Sequence, residues 1–465
     1  MEPEELADAL KRLAAWAEQH APKPESAVRR RLHDHFGRDP GDLPIVSRAL
    51  AAWDRPNFQV AVDAWTAGCQ VEVVGLPVID GYRAGLAELV RGAHWGLELE
   101  LGAVQHVTVP LGEHESIACV ESGLWLLHDD APLVLMLKSQ DSGMGESLGL
   151  EVMATDSAQG ERVLADLFEL MRERNVYRGR TLELRPRHFH DDEGAPLTVR
   201  SLPRISRDRI VLPPGVLERI ERQAFGIAEH GERLRASGRH LRRGLLLYGP
   251  PGTGKTLTAM YLAAELSDRT VVLLTGQSLG TVGASIDLAT ALKPAMVVLE
   301  DVDLVAMDRS HEPTNAILFE LLNGMDGLDE DHDVLFVLTT NRADLLEPAL
   351  AARPGRIDQA VELPLPNADG RRRLLELYGE GLQLELTGDE SLIATLEGVS
   401  PAFIRELLRR AALLAAEESD GALCVRANHL ERALTELRHG ADDLTDALLG
   451  ARPASAGPPP DARAY

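Results

Sequence analysis

Apolar residues recur at helical spacing near the start of the chain, where Leu6, Leu10, Leu13 and Trp16 line one face of a helix over residues 5–20. A Pro-containing break follows at Ala21 to Pro24, and residues 29–36 and 46–53 read as further helices. From about Val71 to Leu137 the pattern changes to short Val- and Leu-rich strands separated by Gly and Pro. Residues 160–174 read as a helix ending at Asn175, and residues 181–199 as strands joined by a polar, acidic loop. After Arg209, strand, loop and helix alternate, with core strands expected at 244–248, 271–275, 296–299 and 334–339. That alternation predicts a doubly wound parallel sheet with helices on both faces. Beyond Pro364-Leu365-Pro366 the pattern is helical through Leu437, and the last fifteen residues, rich in Pro, Ala and Gly, read as disordered.

A chain of 465 residues exceeds one compact domain, and a 45% hydrophobic fraction is enough to build sizeable cores. Aromatic residues make up only 4%, which suits helix-rich Ala/Leu packing better than a β-sandwich. The formal net charge of −25 repels phosphate backbones and anionic lipid, so neither nucleic acid nor a membrane surface is an expected partner. Cys69, Cys119 and Cys424 lie far apart without disulfide or metal-ligand spacing, which fits a reducing cytoplasm. The acidic, amphipathic start lacks the basic stretch and apolar core of a secretory signal. The longest apolar runs, such as Ala131 to Leu137, are too short to span a bilayer.

The strongest chemical signal follows the apolar strand Leu245-Leu246-Leu247-Tyr248. It runs into Gly249-Pro250-Pro251-Gly252-Thr253-Gly254-Lys255-Thr256 and then a helix beginning near Leu257. This is the phosphate-binding loop pattern G-x-x-x-x-G-K-[ST] in its strand-to-helix context. Glycines let backbone N–H groups turn inward around a phosphate, and the helix N-terminus adds partial positive charge. Lys255 would reach the β- and γ-phosphates of ATP, and the Thr256 hydroxyl would ligate Mg²⁺. The fold class expected is therefore an α/β P-loop NTPase core with a small all-helical lid, preceded by an α/β N-terminal region. The corresponding segments are 1–70 (helical), 71–204 (an α/β domain of unassigned fold), 205–365 (large ATPase subdomain), 366–440 (lid) and 441–465 (tail).

The strand Met296-Val297-Val298-Leu299 ends in Glu300-Asp301-Val302-Asp303, carboxylates where a metal and an attacking water need them. Here the chain resembles the AAA family of AAA+ ATPases, whose usual order at these positions is Asp then Glu. Glu300-Asp301 reverses it. The resemblance implies that Glu300 assists Mg²⁺, mostly through its water shell, and that Asp301 polarises the hydrolytic water. Asp is one methylene shorter, so the water must sit closer or the backbone must shift. The reversed order, and Arg242-Arg243-Gly244 before the P-loop strand, are similar to the branch containing the mitochondrial Rieske-protein translocase, which hydrolyses ATP with that order.

The family resemblance continues downstream. Residues 334–338 form a strand ending in Thr339-Thr340-Asn341-Arg342, and Asn341 matches the family's Asn that contacts the γ-phosphate. Leu346-Glu347-Pro348-Ala349-Leu350-Ala351-Ala352-Arg353-Pro354-Gly355-Arg356-Ile357-Asp358 resembles the family's second region of homology. That likeness implies that Arg353 and Arg356 enter the neighbouring subunit's ATP site, in a ring most simply of six subunits. Gly398 to Leu407 looks like the lid motif. Arg405 within it is either a second phosphate sensor or a partner of Glu406, Glu397 or solvent. The adenine pocket is expected to use backbone near Ile210 to Leu212.

Two family features are missing. Threading unfoldases carry an aromatic on the loop after the second core strand, whereas Gly276 to Ser285 contains none and Leu279 stands in its place. A zinc protease needs H-E-x-x-H, and neither His114-Glu115 nor His311-Glu312 has the second His. Arg187 to Glu193 reads as a solvated charged loop, and His33 and His35 read the same way. The function expected is an ATP-hydrolysing motor that remodels or assembles a protein substrate, chosen with any adaptor through residues 1–200. The alternative is a nucleotide-gated homo-oligomeric scaffold with little hydrolysis.

Overall fold

Alternation of apolar residues on the long strands sets the first layer of the N-terminal unit. In a computed structural model, which describes residues 27–76, 84–91, 101–128, 131–141, 146–185, 197–239, 241, 243–303, 320–325, 332–344, 357–385, 389–418 and 423–439, the chain divides into two compact units. One comprises residues 1–110 and 115–176; the other, residues 111–114 and 177–465. The first contains α1 (Ala27–Phe36), β1 (Ile45–Ala51), α2 (Arg55–Trp65), β2 (Val71–Gly75), α3 (Leu86–Arg91), β3 (Gln105–Pro110), β4 (Ser116–Leu127), β5 (Leu133–Asp141), β6 (Glu146–Met153) and α4 (Ser157–Glu173). Its sheet runs in the order β1-β6-β5-β4-β2, with β3 also on β4, and every pairing is antiparallel.

Trp125 and Leu127 of β4 and Leu135 and Leu137 of β5 pack with Phe58 and Val62 of α2 and Leu164 and Leu167 of α4. The intervening Leu124, Leu126, Val134 and Met136 pack with Val28 and Leu32 of α1 and Leu86 and Leu89 of α3. Period-two alternation thus feeds two separate cores, one on each face of the sheet.

Three expectations change here. Residues 46–53, expected as a helix, lie mostly in β1, where Leu50 pairs opposite Leu148 of β6. A run of only seven strand residues carries no decisive period of its own, and pairing with β6 overrides the helix preference of Ala49, Leu50 and Ala51. The sheet also crosses the expected boundary at residue 70, because β1 belongs to the same layer as β2 and β4. His35, expected to be solvated, is half-buried: its Nε2 lies 3.1 Å from the Leu133 carbonyl oxygen and its ring packs edge-on to Phe36 and His128. The helix expected over residues 5–20, the loop 187–193, His311 and Glu312, and the tail 441–465 lie outside the described residues.

The second unit contains β7 (Thr181–Leu184), β8 (Leu197–Arg200), α5 (Val216–Ala236), β9 (Arg243–Tyr248), α6 (Lys255–Glu265), β10 (Thr270–Leu274), α7 (Val282–Ala291), β11 (Ala295–Leu299), β12 (Val334–Thr340) and β13 (Gln359–Glu362). These strands form one sheet in the order β13-β9-β12-β11-β10-β7-β8, parallel except for the β7–β8 pair. The strands expected at 181–199 therefore exist, but they extend the parallel sheet of the second unit instead of ending the N-terminal domain at residue 204. Both faces of β10, β11 and β12 are buried, which explains why these segments read as unbroken apolar runs. Leu262, Val298, Val337 and Ile220 share one core.

After β13 come α8 (Ala368–Tyr378), β14 (Gln383–Glu385), α9 (Asp389–Thr395), α10 (Pro401–Glu418), β15 (Cys424–Arg426) and α11 (Ala427–His439). Asn367 caps α8 by accepting from Gly370 N at 2.8 Å, as its position before the apolar face suggests. Leu375, Phe403, Leu407, Ala411 and Leu434 build a separate helical core, whose only strands among the described residues are the short parallel pair β14–β15. Among the described residues no helix is long and apolar enough to cross a membrane.

Candidate active site

The C-terminal ends of β9, β11 and β12 meet at the crevice beside the P-loop, where an open parallel sheet holds ligands. The loop itself depends on glycine. Gly249 has φ +146°, and a Cβ there would lie 2.3 Å from the Leu363 carbonyl oxygen. Gly254, at φ +95°, turns the chain into α6 and leaves the first N–H groups of that helix pointing into the loop. Thr253 Oγ1 donates to the Pro250 carbonyl and Thr258 Oγ1 to the Gly254 carbonyl, both at 2.9 Å, so the loop is braced from both ends.

Lys255 folds back into this loop, donating from Nζ to the carbonyls of Gly249 and Pro250 at 2.9 Å each. Burial pulls its pKa down to about 8, against the opposing pull of Asp301 and Asp303. Leu257, next along α6, is half-buried beside the same cavity.

Across the loop, the Thr256 hydroxyl lies beside the Glu300 carboxylate and favours its charged form. Glu300 Oε1 is buried and has no hydrogen-bond partner among the described residues. Burial first, and the neighbouring Asp301 second, push the Glu300 pKa up. A hydroxyl beside a carboxylate with an orphaned, buried oxygen is a donor set that fits a hard divalent cation such as Mg²⁺.

Asp301 follows in the left-handed region at φ +48°. Its N–H donates to Thr339 Oγ1 at 3.0 Å, and its Oδ1 accepts from Asn341 Nδ2 at 3.3 Å. Burial and then Asp303 push its pKa up, while Lys255 and Asn341 hold it down. The shorter carboxylate thus still reaches the candidate sensor Asn341. Asp tolerates left-handed backbone better than most residues, which gives a physical reason for Asp in the second position.

Lys255, Thr256, Asp301 and Asn341 open onto a cavity of about 1010 Å³. Ile210, Val211 and Leu212 line it, as expected, and so do Leu374 and Tyr378 of α8, which sequence reasoning missed. The signal available for those two was the apolar stripe of α8, indistinguishable in sequence from a core-facing one. Arg405 also lines the cavity. Its expected partner Glu406 is instead held by Arg409 and Arg410, at 2.7 Å and 2.9 Å, and their hydrogen bonds keep the Glu406 pKa at about 2. Gly252 touches the start of α10: its carbonyl accepts from Ala402 N at 3.2 Å.

Leu279, placed where threading motors carry an aromatic, is buried. It lies in a short 3₁₀ turn, Gly276–Thr281, closed by reciprocal hydrogen bonds between Thr275 and Ser278. Arg353 and Arg356 lie outside the described residues.

Residues 245–365 match the family model described as ATPase family associated with various cellular activities (AAA). The chain is 35% identical over 188 residues to a proteasome-activating nucleotidase of Methanothermobacter thermautotrophicus, covering 37% of this chain and 46% of that protein. It is 36% identical over 188 residues to the 26S proteasome regulatory subunit 10B of Dictyostelium discoideum, covering 37% and 48%. It is also 34% identical over 206 residues to the ATP-dependent zinc metalloprotease FtsH 1 of Sphaerobacter thermophilus, covering 41% and 31%. The chain spans less than half the length of these curated relatives.

Proposed function

Starting from an AAA ATPase domain at residues 245–365, we propose that this protein is an ATP-hydrolysing motor that remodels or assembles a protein substrate. Its active site is shared between subunits of a homo-oligomeric ring. The observation that carries the reading is the convergence of Lys255, Thr256, Asp301 and Asn341 on one cavity, with the buried Glu300 beside Thr256.

In this reading the N–H groups of the P-loop and of the first turn of α6 wrap the phosphates. The Lys255 ammonium leaves the Gly249 and Pro250 carbonyls for the β- and γ-phosphate oxygens. Bound Mg²⁺, held by Thr256 and through its water shell by Glu300, would neutralise charge on those phosphates. Asp301 and Asn341, already hydrogen-bonded to each other, orient the attacking water, and the Asp301 carboxylate accepts its proton. Arg353 and Arg356 of the adjacent subunit complete the site, a contribution that can reach about 10³–10⁵ in rate. The reversed Glu300-Asp301 order favours the branch that contains the mitochondrial Rieske-protein translocase. The three widely spaced cysteines favour a cytoplasmic location.

A second reading, the nucleotide-gated scaffold with little hydrolysis, draws on the buried Leu279, which leaves the turn without a residue to grip a chain. Steady-state ATPase turnover measured across protein concentration, beside Lys255→Ala and Arg356→Ala, separates the two. The motor predicts turnover that rises with concentration and collapses in both variants. ATP binding and assembly without turnover would leave the scaffold.

A further inference from the structure

The fourth residue of the Glu300-Asp301-Val302-Asp303 segment has no part in the scheme above, yet it is one of the few carboxylates buried in the second unit. Asp303 is 3% exposed. Its Oδ1 accepts two hydrogen bonds from the end of β12: one from Thr340 Oγ1 at 2.9 Å and one from the backbone N–H of Asn341 at 3.1 Å. Thr340 Oγ1 also accepts from Arg342 N at 3.0 Å, which continues the tie past the strand end. A second link joins the same two chain ends, from Asp301 N to Thr339 Oγ1 at 3.0 Å. Thr339 and Thr340 are fully buried, so neither link has water as a substitute partner.

The consequence is geometric. Parallel pairing of β11 and β12 stops at Leu299 opposite Leu338, while β12 stays paired with β9 as far as Thr340 opposite Tyr248, so that Asn341 is the first residue past that ladder. The atoms that carry the candidate chemistry, the Asp301 carboxylate and the Asn341 amide, both lie past these ends. They meet in a 3.3 Å contact that is long for a hydrogen bond and weak on its own. The ladder with β9 holds Thr340 but ends there, and the only side chain among the described residues that accepts from Asn341 N is Asp303, which ties this first unpaired residue to the β11 end that carries Asp301.

We propose that Asp303 is a positioning residue for hydrolysis: its Oδ1 anchors the Asn341 backbone so that the Asn341 amide and Asp301 share one water. This rests on the ATPase reading above. It predicts a defect mainly in turnover and little in nucleotide binding, because the hydrogen bonds of Asp303 among the described residues go to Thr340 and Asn341, and its link to the P-loop is only the through-space pull of its charge on Lys255.

Both hydrogen bonds reach the same oxygen, so Asn at this position keeps an Oδ1 acceptor for Thr340 and Asn341 N, whereas Ala removes it. The test compares wild type, Asp303→Asn, Asp303→Ala and Lys255→Ala in the full chain, measuring kcat, ATP KM, binding of a fluorescent ATP analogue, and hydrogen–deuterium exchange of the segment ending at Arg342. The expected result for Asp303→Ala is a kcat lower by roughly ten- to a hundredfold with KM and analogue binding within about threefold of wild type. Exchange at Asn341 should be faster, and Asp303→Asn should recover most of the loss in both measurements.

Equal defects in Asp303→Asn and Asp303→Ala, or a parallel loss of analogue binding, would overturn the positioning role in favour of a general structural one. Wild-type exchange at Asn341 in Asp303→Ala would overturn it as well. Wild-type turnover no greater than that of Lys255→Ala would sink the motor reading itself and this proposal with it. A failure of the Asp303 variants alone leaves the motor standing.

Discussion

Lys255 shows how one buried charge can be read as a functional variable. Burial disfavours the ammonium, so its pKa of about 8 lies below the ordinary lysine value of 10.5. Phosphate oxygens favour the charged form, so ATP binding should raise that pKa again. Between about pH 8 and 10.5 the free site has lost its proton and the bound site regains it. Calorimetric titrations at pH 8.5 in buffers of different ionisation enthalpy should therefore show net proton uptake, and ATP affinity should fall as pH rises through 8. In Lys255→Ala both effects should vanish. Asp301 supports a sharper test at the same scale. Asp301→Asn keeps an oxygen for Asn341 Nδ2 but removes the proton acceptor, so kcat should fall by on the order of 10²–10⁴ while ATP is still bound. Retained turnover in that variant would remove Asp301 from the chemistry.

Elements rather than single residues decide what the loops can do. The segment after β10 is folded into a 3₁₀ turn with Leu279 inside, 4% exposed. Leu279→Ala should lower stability by about 2–5 kcal/mol through a cavity, read as a shift in the chemical denaturation midpoint of the second unit. If the variant is as stable as wild type but loses activity, Leu279 is a contact residue and the turn opens in use. Where the P-loop meets the start of α10, Gly252 has φ +75°, and a Cβ would come within 2.8 Å of both the Ala402 Cβ and the Ser400 Oγ. Gly252→Ala should therefore push α10 away and weaken ATP binding by roughly tenfold, about 1.4 kcal/mol. Unchanged affinity would mean the lid absorbs the shift.

At the scale of the whole molecule, charge and division into units are the relevant quantities. A net charge of −25 disfavours a long polyanion such as a nucleic acid, so DNA or RNA should leave the ATPase rate unchanged at physiological salt. A salt-sensitive stimulation of turnover by nucleic acid would contradict this. The division into two units at Val176/Tyr177 gives each its own buried cores. ATP at about 100 times its Kd should stabilise only the unit that binds it, by about 2.7 kcal/mol, seen as one calorimetric transition moving and another staying.

What the sequence determined by itself is the part governed by local rules. The P-loop was legible because glycine, lysine and threonine at fixed spacing between a strand and a helix serve a single backbone purpose. The core strands β9 to β12 were legible because strands buried on both faces read as unbroken apolar runs. Only the tertiary structure decided the rest. It made 46–53 largely a strand, since pairing with β6 outweighs the weak preference of a short segment. It joined Thr181–Leu184 and Leu197–Arg200 to the ATPase sheet, since a strand's partner is set by contacts far along the chain. It brought Leu374 and Tyr378 to the cavity, buried Leu279, and set Asp303 under Asn341. None of these has a local signature, because each depends on which distant surface the folded chain presents to it.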